Sequence, residues 1–248
     1  MAGPAVAPSV GAMTWNASEH GPVARLTFAN PPDAFMSFAG LLELGDLLET
    51  YAEKPGDIKL IVLAGGTPGL FINHADLAEL AKLGDGTATE RERGAWSRAL
   101  RLLEEIPQPT IAAIDGLASG GGHELALACT LRVGSPEARL QQPEVPAGII
   151  PGGGGSVRLP RLIGPGLAAD VILTGREVGA AEALRVGWLS RVFSGDFPAE
   201  VLSYASDIAK APAPALAAAK KSIVMGSRLP FAEAQAQERA LFSGVPAH

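Results

Sequence analysis

Short apolar runs, largely β-branched, alternate with amphipathic stretches over the first half of the chain. Val23–Ala29, Ile58–Ala64 and Thr110–Ile114 read as buried strands. Between the first two, Leu41, Leu44, Leu48 and Tyr51 recur at helical spacing. Trp96, Leu100 and Leu103 mark a second helix, which Pro107 stops. Gly120–Gly122 then precede a predicted helix from Glu124 to Thr130 and a strand near Leu131–Gly134. A Pro/Gly-rich loop, QQPEVPAGIIPGGGG, follows. Beyond Ser156 the pattern is mostly helical, over 165–174, 179–186, 198–210, 213–225 and 230–241. Strands alternating with helices, then helices alone, predict an α/β core with a helical C-terminal part.

Composition narrows the function classes. The 248 residues suit one large domain or two small ones, and 47% hydrophobic against 19% charged residues supply a sizeable core. A net charge of −6, with no basic run, argues against a nucleic-acid partner. One cysteine, Cys129, excludes an internal disulfide and a cysteine zinc cluster, and points to a reducing, cytoplasmic compartment. The leader MAGPAVAPSVGA lacks the charge and apolar core of a secretion signal. It is expected to be disordered over residues 1–12, or to lie upstream of a second start at Met13. Runs such as Leu60–Ala64 are too short to span a bilayer, so no membrane partner is expected.

The stretch SGGGHELALA, from Ser119 to Ala128, carries the most specific chemistry. A zinc protease needs a second histidine where Leu127 stands, and a Walker loop needs Lys-Ser/Thr after its glycines. A dinucleotide fingerprint needs glycine where Leu125 stands. What remains is geometric. Glycines ahead of a helix leave amide hydrogens open to a ligand, and the helix dipole adds partial positive charge there. Such donors stabilise an oxyanion, one of them by about 3–4 kcal/mol in acyl chemistry. The residue pattern also fits a plain strand-to-helix turn with Glu124 exposed, and Glu144 as a surface carboxylate in its loop.

Three motifs in order, IAAIDGLASGGGHELALAC, RLQQPEVPAGIIPGGGGSVRLPRLIG and LTGREVGAAEALRVGWLSRVF, resemble the enoyl-CoA hydratase/isomerase (crotonase) family. The likeness runs from about Val23 to Phe242 and is strongest over 110–193. It implies a crotonase-like fold of ββα units in a spiral over 13–195, with a C-terminal helical trimerisation region over 196–248. It also implies a homotrimer, often paired as a hexamer, acting on an acyl-CoA thioester. No metal or separate cofactor is implied, since coenzyme A belongs to the substrate. By resemblance the amides of Gly121 and Ala75 form the oxyanion hole, the latter within Phe71-Ile-Asn-His-Ala-Asp-Leu77. Glu124 would be the base and Glu144, in the Gln-Pro-Glu motif, the proton donor. The implied reaction is reversible syn hydration of a 2-enoyl-CoA. Alternatives are isomerisation, decarboxylation or dealkylation through the same enolate, or a catalytically weak acyl-CoA-binding protein.

Departures from the family pattern bear on these expectations. His74 stands where glycine is usual and is expected near the acyl group. Pro31 and Met36 replace the usual arginine and asparagine of a segment near CoA. The chain ends at His248, where relatives usually continue into another helix. Asp76 is expected to start the helix after the oxyanion loop, His123 to bond locally, and Leu125, Leu127 and Ala128 to be core. Gly152, Gly154 and Gly155, with Arg158 and Arg161 after them, are expected to shape the pocket wall.

Overall fold

The computed structural model describes residues 14–245. The leader over 1–12, Met13 and His248 lie outside the described residues. The chain opens with a hairpin of β1 (Trp15–His20) and β2 (Val23–Phe28), followed by α1 (Phe38–Glu53). Ser37 caps α1 by accepting from the Gly40 amide, and Leu41, Leu44, Leu48 and Tyr51 form its buried stripe. Next come β3 (Leu60–Gly65), β4 (Leu70–Ile72), α2 (Leu77–Gly84) and α3 (Glu90–Glu105). The following turn holds β5 (Thr110–Ile114), β6 (Leu117–Ser119) and α4 (Gly120–Ala128). After it lie β7 (Leu131–Gly134), β8 (Arg139–Gln141), α5 (Gly155–Ile163) and α6 (Pro165–Thr174). The rest comprises β9 (Val178–Gly179), α7 (Ala180–Arg185), β10 (Arg191–Val192), α8 (Phe197–Ala209), α9 (Ala213–Gly226) and α10 (Phe231–Gly244).

Two sheets explain the spiral. One has the order β1-β2-β3-β5-β7-β10 and the other β4-β6-β8-β9. Each successive turn of chain places one strand in each sheet and then a helix: β3 and β4, β5 and β6, β7 and β8. Pairing between turns is parallel in both sheets. The central strands β3 and β5 of the larger sheet are buried on both faces, which is why they read as continuous apolar runs. Alternation sends Leu60, Val62, Ile111 and Ala113 to one side, where Phe197, Val201, Ala205 and Ala209 of α8 cover them. Ile61, Leu63, Ala112 and Ile114 join the main core with α1, α3 and α4.

The corner between β5 and β6 leaves no room for a side chain. Gly116 has φ +93, and a Cβ there would lie 2.0 Å from the Gly69 carbonyl oxygen of the preceding turn. At the other end of the chain, Lys220 anchors α9 to the core. Its buried Nζ donates to the carbonyls of Leu103 (2.7 Å), Ile106 (2.9 Å) and Gln108 (2.9 Å), closing off the end of α3.

Two sequence-level boundaries need correction. The helix expected from Glu124 to Thr130 begins at Gly120 and ends at Ala128. The three glycines are therefore its first turn, not a lead-in to it. Three-residue strands β4, β6 and β8 are too short to show a period, and β1 is polar along most of its length. Among the described residues no helix is long and apolar enough to cross a membrane.

Gly116→Ala is expected to destabilise the chain by about 2–3 kcal/mol, the cost of overpacking a tight contact, with backbone strain added. Denaturant melts of the variant beside the native chain check this.

Candidate active site

The first turn of α4 lies against the loop that joins β4 to α2. A Cβ on Gly122 would sit 2.0 Å from the Ile72 carbonyl oxygen, and the Gly122 amide donates to the Asn73 carbonyl at 3.0 Å. Only glycine permits that approach. The ring of Trp96, from α3, lies over Gly121, 2.4 Å from where a Cβ would be. All nine residues of α4 are buried, so its free N-terminal amides face protein groups or a ligand. Among the described residues no acceptor is bonded to the amide of Gly121 or of Ala75.

The 73–76 loop is strapped in place from the other side by Asp33–Met36. Asn73 donates its amide to the Ala34 carbonyl (3.0 Å), and Met36 donates to the His74 carbonyl (3.0 Å). Asp76 donates to the Met36 carbonyl at 2.9 Å. The Asp76 carboxylate caps α2 by accepting from the amides of Ala78 and Glu79. The segment containing Pro31 and Met36 therefore braces the loop that presents Ala75. Sequence spacing gave no sign of this, because most of the hydrogen bonds are backbone to backbone and the Asn73 side chain adds only one, to the Asp33 carbonyl.

His74 is half-buried and stacks on Phe35, with ring centroids 4.4 Å apart. Its Nδ1 donates to the Ala75 carbonyl at 2.8 Å. A Cβ on Gly120 would meet both His74 Cβ (3.0 Å) and Glu144 Oε1 (3.3 Å). His74 and Glu144 thus flank the same glycine.

Glu124 is 4% exposed and not a surface residue. Its Oε1 accepts from the Gly155 amide at 2.7 Å, and its Oε2 lies 2.5 Å from where a Cβ of Gly153 would be. Burial raises its pKa, opposed by the Gly155 and Gly153 amides and by Arg158. Arg158 fixes this glycine loop, donating to the Gly153 carbonyl at 2.6 Å and to Glu104 at 2.7 Å. Of the glycines expected in the pocket wall, Gly155 bonds Glu124, Gly154 lies against the Arg158 guanidinium, and Gly152 stands in open space, while Gly153, outside that expectation, packs on Glu124. Arg161 instead donates to the Val157 carbonyl of its own helix.

Glu144 is half-buried in the turn after β8. Oε1 accepts from Gln142 Nε2 at 3.2 Å, while Oε2 is buried with no partner. Burial, then the nearby negative charge of Glu124, pushes its pKa up to about 7. Two acids are therefore brought into electrostatic contact with different surroundings. Glu124 is held by backbone amides, and Glu144 keeps one oxygen unpartnered. Such a pair can divide base and acid roles. Leu125, Leu127 and Ala128 are core, as expected. Among the described residues no group of three or more His, Cys, Asp or Glu side chains converges as a metal site would require.

Residues 18–248 match the model of the enoyl-CoA hydratase/isomerase family. The chain belongs to that family. Among its relatives, crotonyl-CoA hydratase of Syntrophomonas wolfei is 39% identical over 170 residues, which are 68% of this chain and 63% of that protein. Short-chain-enoyl-CoA hydratase of Clostridium acetobutylicum is 35% identical over 192 residues, 77% of this chain and 72% of its own. The crystal structure of enoyl-CoA hydratase from Bacillus anthracis matches with a TM-score of 0.85 at 33% identity, covering 94% of this chain and 90% of that one. The crotonase fold and membership in a family of enzymes are thereby established for this chain.

In this crotonase-family chain, carboxyl-selective NMR is expected to place the Glu144 midpoint near 7. Glu124→Gln removes a like charge, so the Glu144 midpoint moves down in that variant. An unmoved midpoint means the two acids are not coupled.

Proposed function

We propose that the chain is an enoyl-CoA hydratase that adds water reversibly and syn to a 2-enoyl-CoA. The observation carrying this reading is the coupled acid pair, Glu124 and Glu144, beside two unbonded main-chain amides. In this reading the thioester oxygen sits between the amides of Ala75 and Gly121. Negative charge developing on that oxygen is stabilised by donors that need no reorganisation. Polarising the carbonyl makes C3 of the substrate electrophilic.

Water is held between the carboxyls. Glu124, anchored by the Gly155 amide, takes a proton as the water oxygen bonds to C3. The C2–C3 π electrons move into an enolate held by the two amides. Glu144 then delivers its proton to C2, and the carbonyl re-forms. The proton gained by Glu124 and the one lost by Glu144 are exchanged through solvent after product leaves. No metal or separate cofactor takes part. Coenzyme A enters as part of the substrate.

Isomerisation within one substrate needs a single carboxyl to move a proton between carbons. The burial of Glu124 on the Gly155 amide supports the two-acid reaction instead. His74, stacked on Phe35 beside Gly120, is the residue in contact with the acyl portion in this reading. Exposed Phe231 and Phe242 on α10 and Ile223 on α9 support a trimeric or hexameric assembly through the C-terminal helices.

Loss of the enoyl thioester absorbance of crotonyl-CoA tests the activity. Glu124→Gln and Glu144→Gln are each expected to lower kcat by about 10²–10⁴-fold, the usual contribution of a positioned acid or base. A native chain that binds crotonyl-CoA without hydrating it returns the binding-protein reading.

A further inference from the structure

His123 follows the glycine turn directly, is 0% exposed, and has no part in the proposed chemistry. Its one well-formed partner is Trp188, at the end of the segment after α7. Trp188 Nε1 lies 2.8 Å from His123 Nε2, with the rings edge to face. An indole nitrogen only donates. His123 Nε2 must therefore accept, and a neutral imidazole then carries its proton on Nδ1. Burial, and secondarily the buried guanidinium of Arg132, lower the imidazole pKa to about 3. The ring stays neutral, and the tautomer is set by Trp188.

The Nδ1 atom is buried and has no well-formed partner, and so is the amide oxygen of Gln142. These two orphans are complementary, since one is a donor and the other an acceptor. They belong to neighbouring side chains, the Gln142 amide being the group that favours protonation of this imidazole. The other end of the Gln142 amide reaches the reactive acid. Nε2 donates to Glu144 Oε1 and to the Gly120 carbonyl, each at 3.2 Å. Flipping the amide would set its NH2 against the His123 Nδ1–H and its oxygen against two acceptors. Only the observed orientation keeps the amide NH2 on two acceptors and leaves its oxygen for the one donor without a partner.

We infer that His123, held in its Nδ1–H tautomer by Trp188, is a positioning residue that orients the Gln142 amide and through it fixes Glu144. The consequence for the proposed reaction rests on Glu144 as proton donor. The orientation itself does not. The charged groups facing this relay are Arg132 beside His123 and Glu124 beside Glu144, with Arg158 beyond Glu124, and the His74 side chain flanks Gly120 with Glu144.

The test separates donor from acceptor at position 123. His123→Asn keeps an NH2 near the place of Nδ1. His123→Gln keeps a polar end near the place of Nε2 but no donor toward Gln142. His123→Leu keeps neither. Losing the Gln142 donor removes stabilisation of the Glu144 carboxylate, so its midpoint rises. By carboxyl NMR of the full chain, the midpoint is expected to move up by roughly half a pH unit or more in His123→Gln and His123→Leu. It stays near the native value in His123→Asn. With crotonyl-CoA as probe, kcat falls roughly tenfold in the first two with KM unchanged, as for a misplaced catalytic group. Imidazole 15N shifts of the native chain report the tautomer without any substitution. An Nε2–H tautomer overturns the inference, and so does a Glu144 midpoint that is the same in all folded variants. If the midpoints move as described while the native chain leaves crotonyl-CoA unchanged, the hydratase reading falls and the positioning role stands.

Discussion

The 3.0 Å bond from the Gly122 amide to the Asn73 carbonyl joins two elements that are about fifty residues apart. It brings the first turn of a buried helix against a loop between sheet and helix, at a distance no side chain survives. Everything in the candidate site follows from that contact. It fixes Gly121 relative to Ala75, and it sets Gly120 between His74 and Glu144. It also leaves the early amides of α4 without internal partners, because a helix cannot satisfy its own first turn. The spiral of paired strands supplies the rigidity. β4 and β6 are parallel neighbours, so the loop after one and the helix after the other emerge side by side.

Electrostatics then divide two chemically identical side chains. Both carboxyls lose solvent, which raises the pKa of each. Glu124 receives compensation from glycine amides and the Arg158 charge. Glu144 receives only partial compensation from its own main-chain amide and the neutral Gln142 side chain, and it feels the repulsion of Glu124. The difference is made by backbone and by a neutral relay, not by an ion pair on either acid. Arg158 does not contact Glu124 in a salt bridge. It holds the Gly153 carbonyl and the Glu104 carboxylate and thereby holds the cradle.

The long elements were legible because their burial is periodic or continuous. The stripe of α1 and the strand Thr110–Ile114 are visible in the letters themselves. The C-terminal helices were equally plain. The second sheet was not, because its strands hold two or three residues each and offer no period. Both acids and both glycine-rich loops stood out through motif resemblance. Their supports did not. Phe35 stacks on His74 across a turn, Trp96 covers Gly121 from another helix, and Trp188 reaches His123 over 65 positions. Pairings set by tertiary approach leave no local signal. The hydrogen bonds of the Asp33–Met36 strap are invisible for a further reason: the strap contributes only main-chain groups to them.

The central claim is that Ala75 and Gly121 grip one thioester oxygen with both carboxyls in reach of the adjoining carbons. A crystal structure of the chain with a bound 3-hydroxyacyl-CoA tests it most directly. The account predicts the thioester oxygen about 2.7–3.1 Å from both amide nitrogens, with the 3-hydroxyl between Glu124 and Glu144. A thioester held anywhere else, or a hydroxyl touching neither carboxyl, contradicts it.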